Sequence, residues 1–410
     1  MQYKSNYLKW KLKTFYNRFK IKKLYDPLKI YWIDPVKIQT SLSHPNLDRT
    51  NPKHKQKVSP MFERGMIMGG DWDINAIPFQ KMDVWQAFEE YFIQGVPWNK
   101  TAFYQRVLKT INNGIPLWYC RTEGDFTDRL ENIERLYNRI KKNGYRMQSE
   151  INNSNIDPLC IEDEINIHIG RNGEYIFGDG RHRLCIAKLL KLDKIPVKIA
   201  RRHEKWVYFR KDILEYAKKH KGKIWEPLIH PDLSDIPSHN DDYRMKIIKE
   251  NIASSASGKM LEVGAHWGYF SHCFSKIGFH CTAIENSPEN IYYLKRLKDI
   301  NRVDFQIFEG SVLDFDNSKT EYDVTLSLNK SHYRLKDKEY FEKYIRWLSS
   351  LKTKLFFFEF HQPDENHKND SSFHYSPDKF INIIQKVGHF KKNKIVGHFE
   401  DNRRMYLLEQ

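Results

Sequence analysis

The chain has 410 residues, a mass of 49.3 kDa and a net charge of +16 at pH 7. This length exceeds the size at which a single hydrophobic core stops growing, so we expect two or three domains, and a hydrophobic content of 40% excludes a disordered protein. The 5 cysteines form no Cys-x-x-Cys pair, and no run of about 18 apolar residues occurs, which argues against a zinc site, a disulfide scaffold and a membrane-spanning helix and favours a cytoplasmic protein.

A basic amphipathic helix is predicted for residues 1–25. Residues 1–30 hold nine lysines and arginines against one acid, which accounts for half of the net charge. An apolar stripe at helical spacing runs through this segment: Leu8, Leu12, Phe15 and Phe19. Such a helix suits either peripheral contact with an anionic membrane or docking on the protein's own surface, and both alternatives stay open. Because the basic residues are concentrated in this tail, a nucleic-acid partner is not favoured.

We predict that residues 26–120 form an uncharacterised α/β region. The segment YWIDPVKI predicts a strand that ends in a turn. Asp71 and Asp73 flank a tryptophan shortly before an amphipathic helix. Two carboxylates at this spacing suit a cation or a sugar, but a capped turn explains them equally well, and we favour the turn.

Residues 121–205 predict a small α+β domain. A helix over residues 125–143 ends at a glycine, and two later strands are joined by a hairpin turn at Asn172-Gly173. The segment GDGRHR then opens a helix from Arg183 to Leu192, which a further strand follows. The start of a helix offers unpaired N–H groups and a partial positive charge, and the histidine and arginines add donors, so this turn predicts a phosphate site.

This central segment resembles the ParB/sulfiredoxin fold. Gln148 and the turn at Gly180 match ParB motifs, and the Asp-Gly-x-His-Arg pattern is similar to that of free-serine kinases of the same fold. Arg181 stands where sulfiredoxins carry their cysteine, so sulfinic-acid reduction is not implied. The resemblance implies a nucleotide or phosphate ligand with Mg, a second, kinase-like activity, and these site residues: Glu150 as a base, and Asp179, Gly180, Arg181, His182 and Arg183 for binding. A solvated basic turn without a ligand is the alternative.

Residues 206–240 contain three prolines and predict a linker, and residues 241–410 predict a second α/β domain. Short apolar runs alternate with helical segments in this part of the chain: KMLEVG, HCTAIE, VDFQIFEG, YDVTLSL and KLFFFEFH. This alternation is typical of βαβ units with a parallel sheet covered by helices. The predicted fold class is therefore α/β, with a doubly wound, Rossmann-like C-terminal sheet preceded by a small α+β domain and a basic helical N-terminal region.

A glycine-bearing turn, EVGAHWG, follows the first of these C-terminal strands. Doubly wound sheets bind nucleotide-like ligands at this position, and Glu285 at the tip of the next strand is placed to accept hydrogen bonds from ribose hydroxyls. Residues 241–410 resemble class I S-adenosylmethionine-dependent methyltransferases through this turn and acid. The resemblance implies S-adenosyl-L-methionine as the cofactor, bound by Glu262, Gly264, His266, Gly268, Glu285, Ser311 and Asn329. His266 and Ser311 depart from the family pattern, which has a glycine and an acid at those places.

Methyl transfer to a hydroxyl needs a base, and the candidates by position are His332, Glu359 and His361, with no metal expected. No Pro-Pro-aromatic tetrapeptide follows the fourth strand, which argues against methylation of nucleobase amines. We therefore expect an O-methyltransferase for a small molecule or glycan, in a surface-polysaccharide pathway. Two other classes are alternatives: a nucleic-acid-binding ParB-like protein with an attached modifying domain, and a non-catalytic scaffold.

Overall fold

The structure is a computed structural model that describes residues 25–26, 28–42, 64–151, 163–252, 257–328, 338–360, 377–399 and 403–410. The helix predicted for residues 1–25, apart from its last residue, lies outside these ranges, as do Asn329, His332 and His361. The chain divides into two compact units, Met1–Ile213 and Leu214–Gln410, which we call unit one and unit two. None of the helices within the described ranges is long and apolar enough to span a membrane.

Unit one contains a seven-stranded mixed sheet. Its strands are β1 (Ile30–Ile33), β2 (Ile38–Ser41), β3 (Met66–Met68), β4 (Ile77–Pro78), β5 (Ile165–Ile169), β6 (Tyr175–Asp179) and β7 (Ile195–His203). Six of them follow the order β1-β7-β5-β6-β2-β4, and β3 also pairs with β7. β5 and β6 pair in antiparallel fashion, so the hairpin predicted at Asn172-Gly173 is confirmed.

The sheet of unit one joins regions that the sequence prediction kept apart. β1 to β4 come from the predicted region 26–120, whereas β5 to β7 come from 121–205. Ile30 pairs with Lys198, and Ile38 pairs with Tyr175. The sheet therefore continues across the boundary predicted at residue 120. Pairing between such distant residues leaves no local signal in the sequence.

The helices of unit one are α1 (Asp83–Phe92), α2 (Ala102–Asn112), α3 (Glu123–Asn143), α4 (Gln148–Ile151) and α5 (Arg181–Leu189). The sequence predicts α3 and α5 closely. Thr122 and Asp125 form a capping box at the start of α3, and Gly144, with φ 76°, ends it. Helix α5 begins two residues earlier than predicted, directly after Gly180, which adopts a left-handed conformation with φ 89°.

Helix α6 (Glu204–Lys219) contains the boundary between the two units. The segment predicted as a linker, 206–240, therefore begins inside a helix. It continues with apolar side chains that are buried, Leu228, Leu233 and Ile236, whereas a linker is expected to be exposed. Pro231 lies in a turn closed by the hydrogen bond from Leu233 N–H to His230 O at 2.8 Å.

Unit two contains a second seven-stranded sheet. Its strands are β8 (Lys259–Val263), β9 (His280–Glu285), β10 (Gln306–Glu309), β11 (Glu321–Ser327), β12 (Lys352–Phe360), β13 (Lys392–His398) and β14 (Arg404–Glu409). The order is β10-β9-β8-β11-β12-β14-β13. β8 to β12 run parallel, and β14 is antiparallel to both of its neighbours. The first strand of the unit is thus central, and the strand order reverses beside it, between β8 and β11.

Two apolar clusters cover the two faces of this sheet. The helices of unit two are α7 (Tyr243–Glu250), α8 (Tyr269–Lys276), α9 (Pro288–Asn301), α10 (Lys338–Ser350) and α11 (Pro377–Val387). Phe357 packs in the cluster with residues of α7, α8 and α9, whereas Phe356 and Phe358 pack in the cluster with residues of α10 and α11. Successive side chains of a strand point to opposite faces, so this alternation confirms the predicted doubly wound α/β arrangement.

Candidate functional site

A cavity of ≈ 950 Å³ lies in unit two at the carboxyl ends of its parallel strands. Val263 and Gly264 at the end of β8 line it, together with Glu285 at the end of β9. Gly310, which follows β10, and Leu328, which follows β11, line it as well. The cavity therefore sits beside the point where the strand order reverses, which is where open α/β sheets bind their ligands.

The glycine turn between β8 and α8 has three residues in left-handed backbone conformations. Gly264 has φ 70°, His266 has φ 53° and Gly268 has φ 77°. Gly264 lines the cavity. Gly268 does not, and a Cβ atom there would lie 2.3 Å from Leu294 Cδ1. The sequence predicts that both glycines bind the cofactor. In the structure Gly264 lines the cavity, whereas Gly268 lies where α8 packs against α9.

His266 occupies the place where the methyltransferase pattern has a glycine. Its Nε2 lies 3.1 Å from the hydroxyl oxygen of Tyr216, and its ring stacks on Trp267 with centroids 5.2 Å apart. Burial lowers the pKa of the imidazole to about 3, so the ring is neutral at physiological pH. His266 lines the cavity and contributes hydrogen-bonding capacity there without positive charge.

Glu285 ties the glycine turn to the loop that follows β9. Its Oε2 accepts the backbone N–H of His266 at 2.8 Å, and its Oε1 accepts the N–H groups of Asn286 at 3.0 Å and Ser287 at 2.9 Å. The side chain is buried but lines the cavity. Asn290 Nδ2 also donates to Oε1, at 3.4 Å. A carboxylate offers about four lone-pair sites, so ribose hydroxyls would share or displace these donors, and the ribose contact stays a prediction.

Glu262 and Ser311 were also predicted to bind the cofactor. Glu262 is buried and does not line the cavity; its Oε2 accepts the N–H of Ser271 at 2.8 Å and the hydroxyl at 2.5 Å. Burial raises the pKa of this carboxyl group to about 8. Glu262 therefore fastens β8 to α8. Ser311 lines the cavity, and its Oγ accepts the N–H of Leu313 at 3.2 Å.

A charged cluster that the sequence analysis missed lies in the part of the cavity formed by α7 and the β13–β14 hairpin. Arg244 donates to Glu226 Oε1 at 3.0 Å and to Glu359 Oε2 at 2.6 Å. Burial, opposed by the charge of Arg244, raises the pKa of Glu226 to about 7. Arg244 and Arg403 line the cavity. Only the helical pattern of the segment around Arg244 was visible in the sequence, because its acidic partners are distant in the chain.

The predicted base Glu359 lies beside two arginine side chains. This residue is buried at the end of β12, and its Oε2 lies 2.6 Å from Arg244 and 3.6 Å from Arg403. It does not line the cavity. In the structure this carboxylate pairs with two guanidinium groups, and its role as a base stays a prediction. His332 and His361, which lie outside the described residues, stay predictions.

The predicted phosphate turn of unit one is built differently from the expectation. His182 stacks on Phe88 with centroids 5.8 Å apart and meets Trp118 edge-on at 5.4 Å. Burial lowers the pKa of His182 well below its usual range, with a further contribution from nearby arginines, so this ring adds no positive charge. Arg181 is buried, and its guanidinium lies 5.7 Å from the centroid of the Trp118 ring.

Arg183 faces acidic neighbours in unit one. Its guanidinium lies 3.2 Å from the carboxylate of Asp163 and 3.9 Å from that of Glu164. Glu150, the predicted base, accepts the N–H of Met147 at 3.0 Å on an exposed helix. Asp179 accepts the N–H of Gly180 at 2.8 Å. The turn keeps its helix N-terminus, but Arg183 and His182 do not join it as free cations. Phosphate, nucleotide or Mg binding and the kinase-like activity stay predictions.

The remaining sequence candidates form a structural clamp. Arg171 at the β5–β6 turn donates to Asp73 Oδ1 at 2.7 Å and to Asp71 Oδ1 at 2.8 Å. The backbone N–H of Arg171 also donates to Asp73 at 2.7 Å. The two carboxylates thus hold the hairpin. Asp71 lies in a backbone turn, as favoured, but neither carboxylate caps the helix that follows, whose N-cap is Met82. Within the described ranges, no group of three His, Cys, Asp or Glu side chains is arranged to hold a metal ion.

No protein-family model and no curated protein matches this chain. Solved structures with partial similarity include the bifunctional kinase-methyltransferase WbdD, with 18% identity over 48% of this chain and 46% of that chain and a TM-score of 0.38. They also include the methyltransferase domain of bacterial CtHen1, with 12% identity over 41% and 96% and a TM-score of 0.32. The DhpI-SAM-HEP complex matches with 14% identity over 41% and 86% and a TM-score of 0.32. The aligned part thus spans about half the length of WbdD.

Proposed function

We propose that unit two is an S-adenosylmethionine-dependent methyltransferase that acts on an oxygen atom of a small molecule or glycan. The observation that carries this proposal is the cavity where the strand order reverses, with Gly264 and the Glu285 carboxylate together on its lining. A left-handed glycine lets a ligand approach the backbone closely, and an acid at the tip of the neighbouring strand suits a ribose. The volume of ≈ 950 Å³ accommodates a cofactor and an acceptor together.

The residues that would hold the cofactor follow from this geometry. Gly264 and His266 would lie along its sulfonium side, and Glu285 would accept hydrogen bonds from its ribose. Asn286 and Ser311 line the cavity beyond Glu285 and would flank the adenine. When bound, S-adenosylmethionine supplies an electrophilic methyl group. The protein then contributes mainly by holding the acceptor oxygen in line with that group, an effect worth about 7–11 kcal/mol when the alignment is good.

Aromatic side chains support a sugar or another small ring compound as the acceptor. Trp225, Tyr243 and Phe399 line the cavity together with many polar side chains, and the flat apolar faces of these rings suit packing against a sugar or another ring. The surface-polysaccharide pathway, the cytoplasmic location and the peripheral membrane contact of residues 1–25 belong to the same proposal.

Calorimetric titration of S-adenosylhomocysteine into the full chain tests the proposal. We expect binding in the wild type and an affinity at least tenfold lower in Glu285→Gln, because the amide removes a charged acceptor and places an N–H₂ group near the N–H of His266. Glu309→Gln is the matched control. Glu309 ends the neighbouring strand in register with Glu285, but it is paired with Lys295 at 2.6 Å and does not line the cavity.

Absence of S-adenosylhomocysteine binding to the wild type would contradict the proposal and would favour the scaffold alternative. Equal affinities of Glu285→Gln and Glu309→Gln would show that the ligand binds elsewhere. Thermal unfolding of each variant, recorded without ligand, separates a lost contact from a lost fold.

A further inference from the structure

Two arginines and one aromatic ring form a distinct part of the cavity wall. Arg244 of α7, and Phe399 and Arg403 of the β13–β14 hairpin, all line the cavity. The guanidinium groups of Arg244 and Arg403 lie 5.4 Å and 5.8 Å from the centroid of the same Phe399 ring. We call these three residues the arginine wall. None of them was among the predicted cofactor or catalytic residues.

Arg244 is fixed in place before any ligand arrives. The residue is 2% exposed, and the carboxylates of Glu226 and Glu359 hold two of its nitrogens at 3.0 Å and 2.6 Å. Its Nε–H has no hydrogen-bond partner within the described part of the chain. A buried donor without a partner is costly, so a local movement that brought an oxyanion to this atom would form a charge-assisted hydrogen bond.

Carboxyl groups contact the arginine wall, and one also lines the cavity. Arg403 lies 3.6 Å from Glu359, which it shares with Arg244. Because burial raises the pKa of Glu226 to about 7, a substantial fraction of this carboxyl group is uncharged at neutral pH. Asp241 also lines the cavity, but it is exposed and accepts the N–H of Tyr243 at 2.9 Å. Among the described residues, the two guanidinium groups and the carboxyl group of Asp241 therefore share the cavity lining, whereas Glu226 and Glu359 contact the guanidinium groups without lining the cavity.

The strand order separates the arginine wall from the site proposed for the adenosyl group. Glu285 ends β9, whereas Arg403 immediately precedes β14. The order β9-β8-β11-β12-β14 puts four strand spacings, about 19 Å, between these edges of the sheet. The arginine wall therefore belongs to the acceptor side of the cavity.

We propose that the arginine wall binds an oxyanion, a phosphate or carboxylate group, carried by the methyl acceptor. The guanidinium groups would hold the oxyanion, and the Phe399 ring would pack against the body of the acceptor. This inference rests on the proposed methyltransferase function, and it narrows the acceptor class from any small molecule or glycan to an acidic one.

Calorimetry on the full chain saturated with S-adenosylhomocysteine provides the test, with inorganic phosphate and acetate as separate probes. We expect at least one of the two anions to bind, and its affinity to fall at least tenfold in Arg403→Gln. Arg404→Gln is the matched control, because Arg404 is the next residue of the same hairpin and does not line the cavity. Whichever anion binds more tightly distinguishes a phosphorylated acceptor from a carboxylated one. Arg244→Lys serves as a second variant that keeps the buried charge.

Three outcomes would overturn the inference. The first is that neither anion binds to the wild type, and the second is that the anion binds to Arg403→Gln and to the wild type with equal affinity. The third is that Arg403→Gln weakens the binding of S-adenosylhomocysteine but not the binding of 5′-methylthioadenosine, which lacks the carboxylate. Arg403 would then recognise the methyl donor rather than the acceptor. If the wild type does not bind S-adenosylhomocysteine at all, the methyltransferase proposal fails instead, and the anion titrations on the unliganded chain still decide the oxyanion site.

Discussion

Burial shifts the pKa values of several ionisable side chains near the cavity in the direction that favours their neutral forms. It raises the pKa of Glu262 to about 8 and that of Glu226 to about 7, and it lowers the pKa of His266 to about 3. The cavity lining also includes the acidic residues Glu285 and Asp241 and the two arginines of the arginine wall. At the scale of single residues, unit two thus combines a largely neutral environment with a few fixed charges, which strengthens the electrostatic effect of each one.

Glu262 gives a pH-dependent prediction. A folded-state pKa of about 8, above the ordinary 4.5, means that the folded state binds more protons than the unfolded state between these values. The free energy of unfolding should therefore fall as pH rises through this window, by at most about 1.4 kcal/mol per pH unit from this group. Glu262→Gln should reduce that slope while retaining an acceptor for Ser271.

Urea unfolding at several pH values between 5 and 8 measures the slope. Glu226→Gln is the comparison, because burial raises the pKa of Glu226 as well, to about 7. Both substitutions should flatten the pH dependence, and Glu262→Gln more strongly, because the pKa of Glu262 is raised further. An unchanged slope in Glu262→Gln would mean that the buried carboxyl group ionises normally.

At the scale of elements, helix α8 depends on a glycine at each end. Gly268 precedes the helix with φ 77°, and Gly278 follows it with φ 97°. The two differ in their surroundings, since a Cβ atom on Gly268 would lie 2.3 Å from Leu294 Cδ1, whereas the nearest atom to one on Gly278 is Ser257 Cβ at 4.0 Å. Gly268 therefore fixes both the backbone turn and the approach of α9.

This difference predicts unequal costs for two alanine substitutions. Gly278→Ala should lower the free energy of unfolding by about 1–2 kcal/mol, the cost of a side chain in the left-handed region. Gly268→Ala should lose a further 1–3 kcal/mol or so, because the added methyl overpacks the contact with Leu294. Chemical denaturation of both variants checks this order. Equal losses would show that α9 moves aside without cost.

Elements set by local signals could be predicted from the sequence. The hairpin at Asn172-Gly173, the capped helix α3 and the glycine turn after β8 each follow from neighbouring residues. The pairing of Ile30 with Lys198 and the ion pair of Arg244 with Glu359 could not be predicted, because they join residues far apart in the chain. The same distinction applies to the residues of the candidate site. A sequence motif predicted Gly264 and Glu285, whereas no local pattern predicted the arginine wall.

A motif also does not give the direction of a side chain. Glu262 and Gly268 occupy their predicted places, yet neither lines the cavity. His182 carries the right residue type for a phosphate site, but its ring packs among aromatic side chains. In each case tertiary packing decides what a residue at a motif position contacts.

At the scale of the whole molecule, the boundary between the units decides which residues complete the cavity. The sequence predicts that the methyltransferase domain begins at residue 241, whereas the second compact unit begins at Leu214. The segment in between supplies Tyr216, which contacts His266 at 3.1 Å, and Glu226, which holds Arg244 at 3.0 Å. Trp225 and Asn240 of the same segment line the cavity.

Two fragments therefore should behave differently. A fragment of residues 214–410 should give a cooperative thermal transition and bind S-adenosylhomocysteine with nearly the affinity of the full chain. A fragment of residues 241–410 should melt at a lower temperature and bind at least tenfold more weakly, because His266 and Arg244 each lose a partner and the buried apolar side chains of residues 214–240 are absent. Circular dichroism and calorimetry provide both measurements. If the shorter fragment matches the longer one in both, residues 214–240 are a linker after all, and the cavity does not need them.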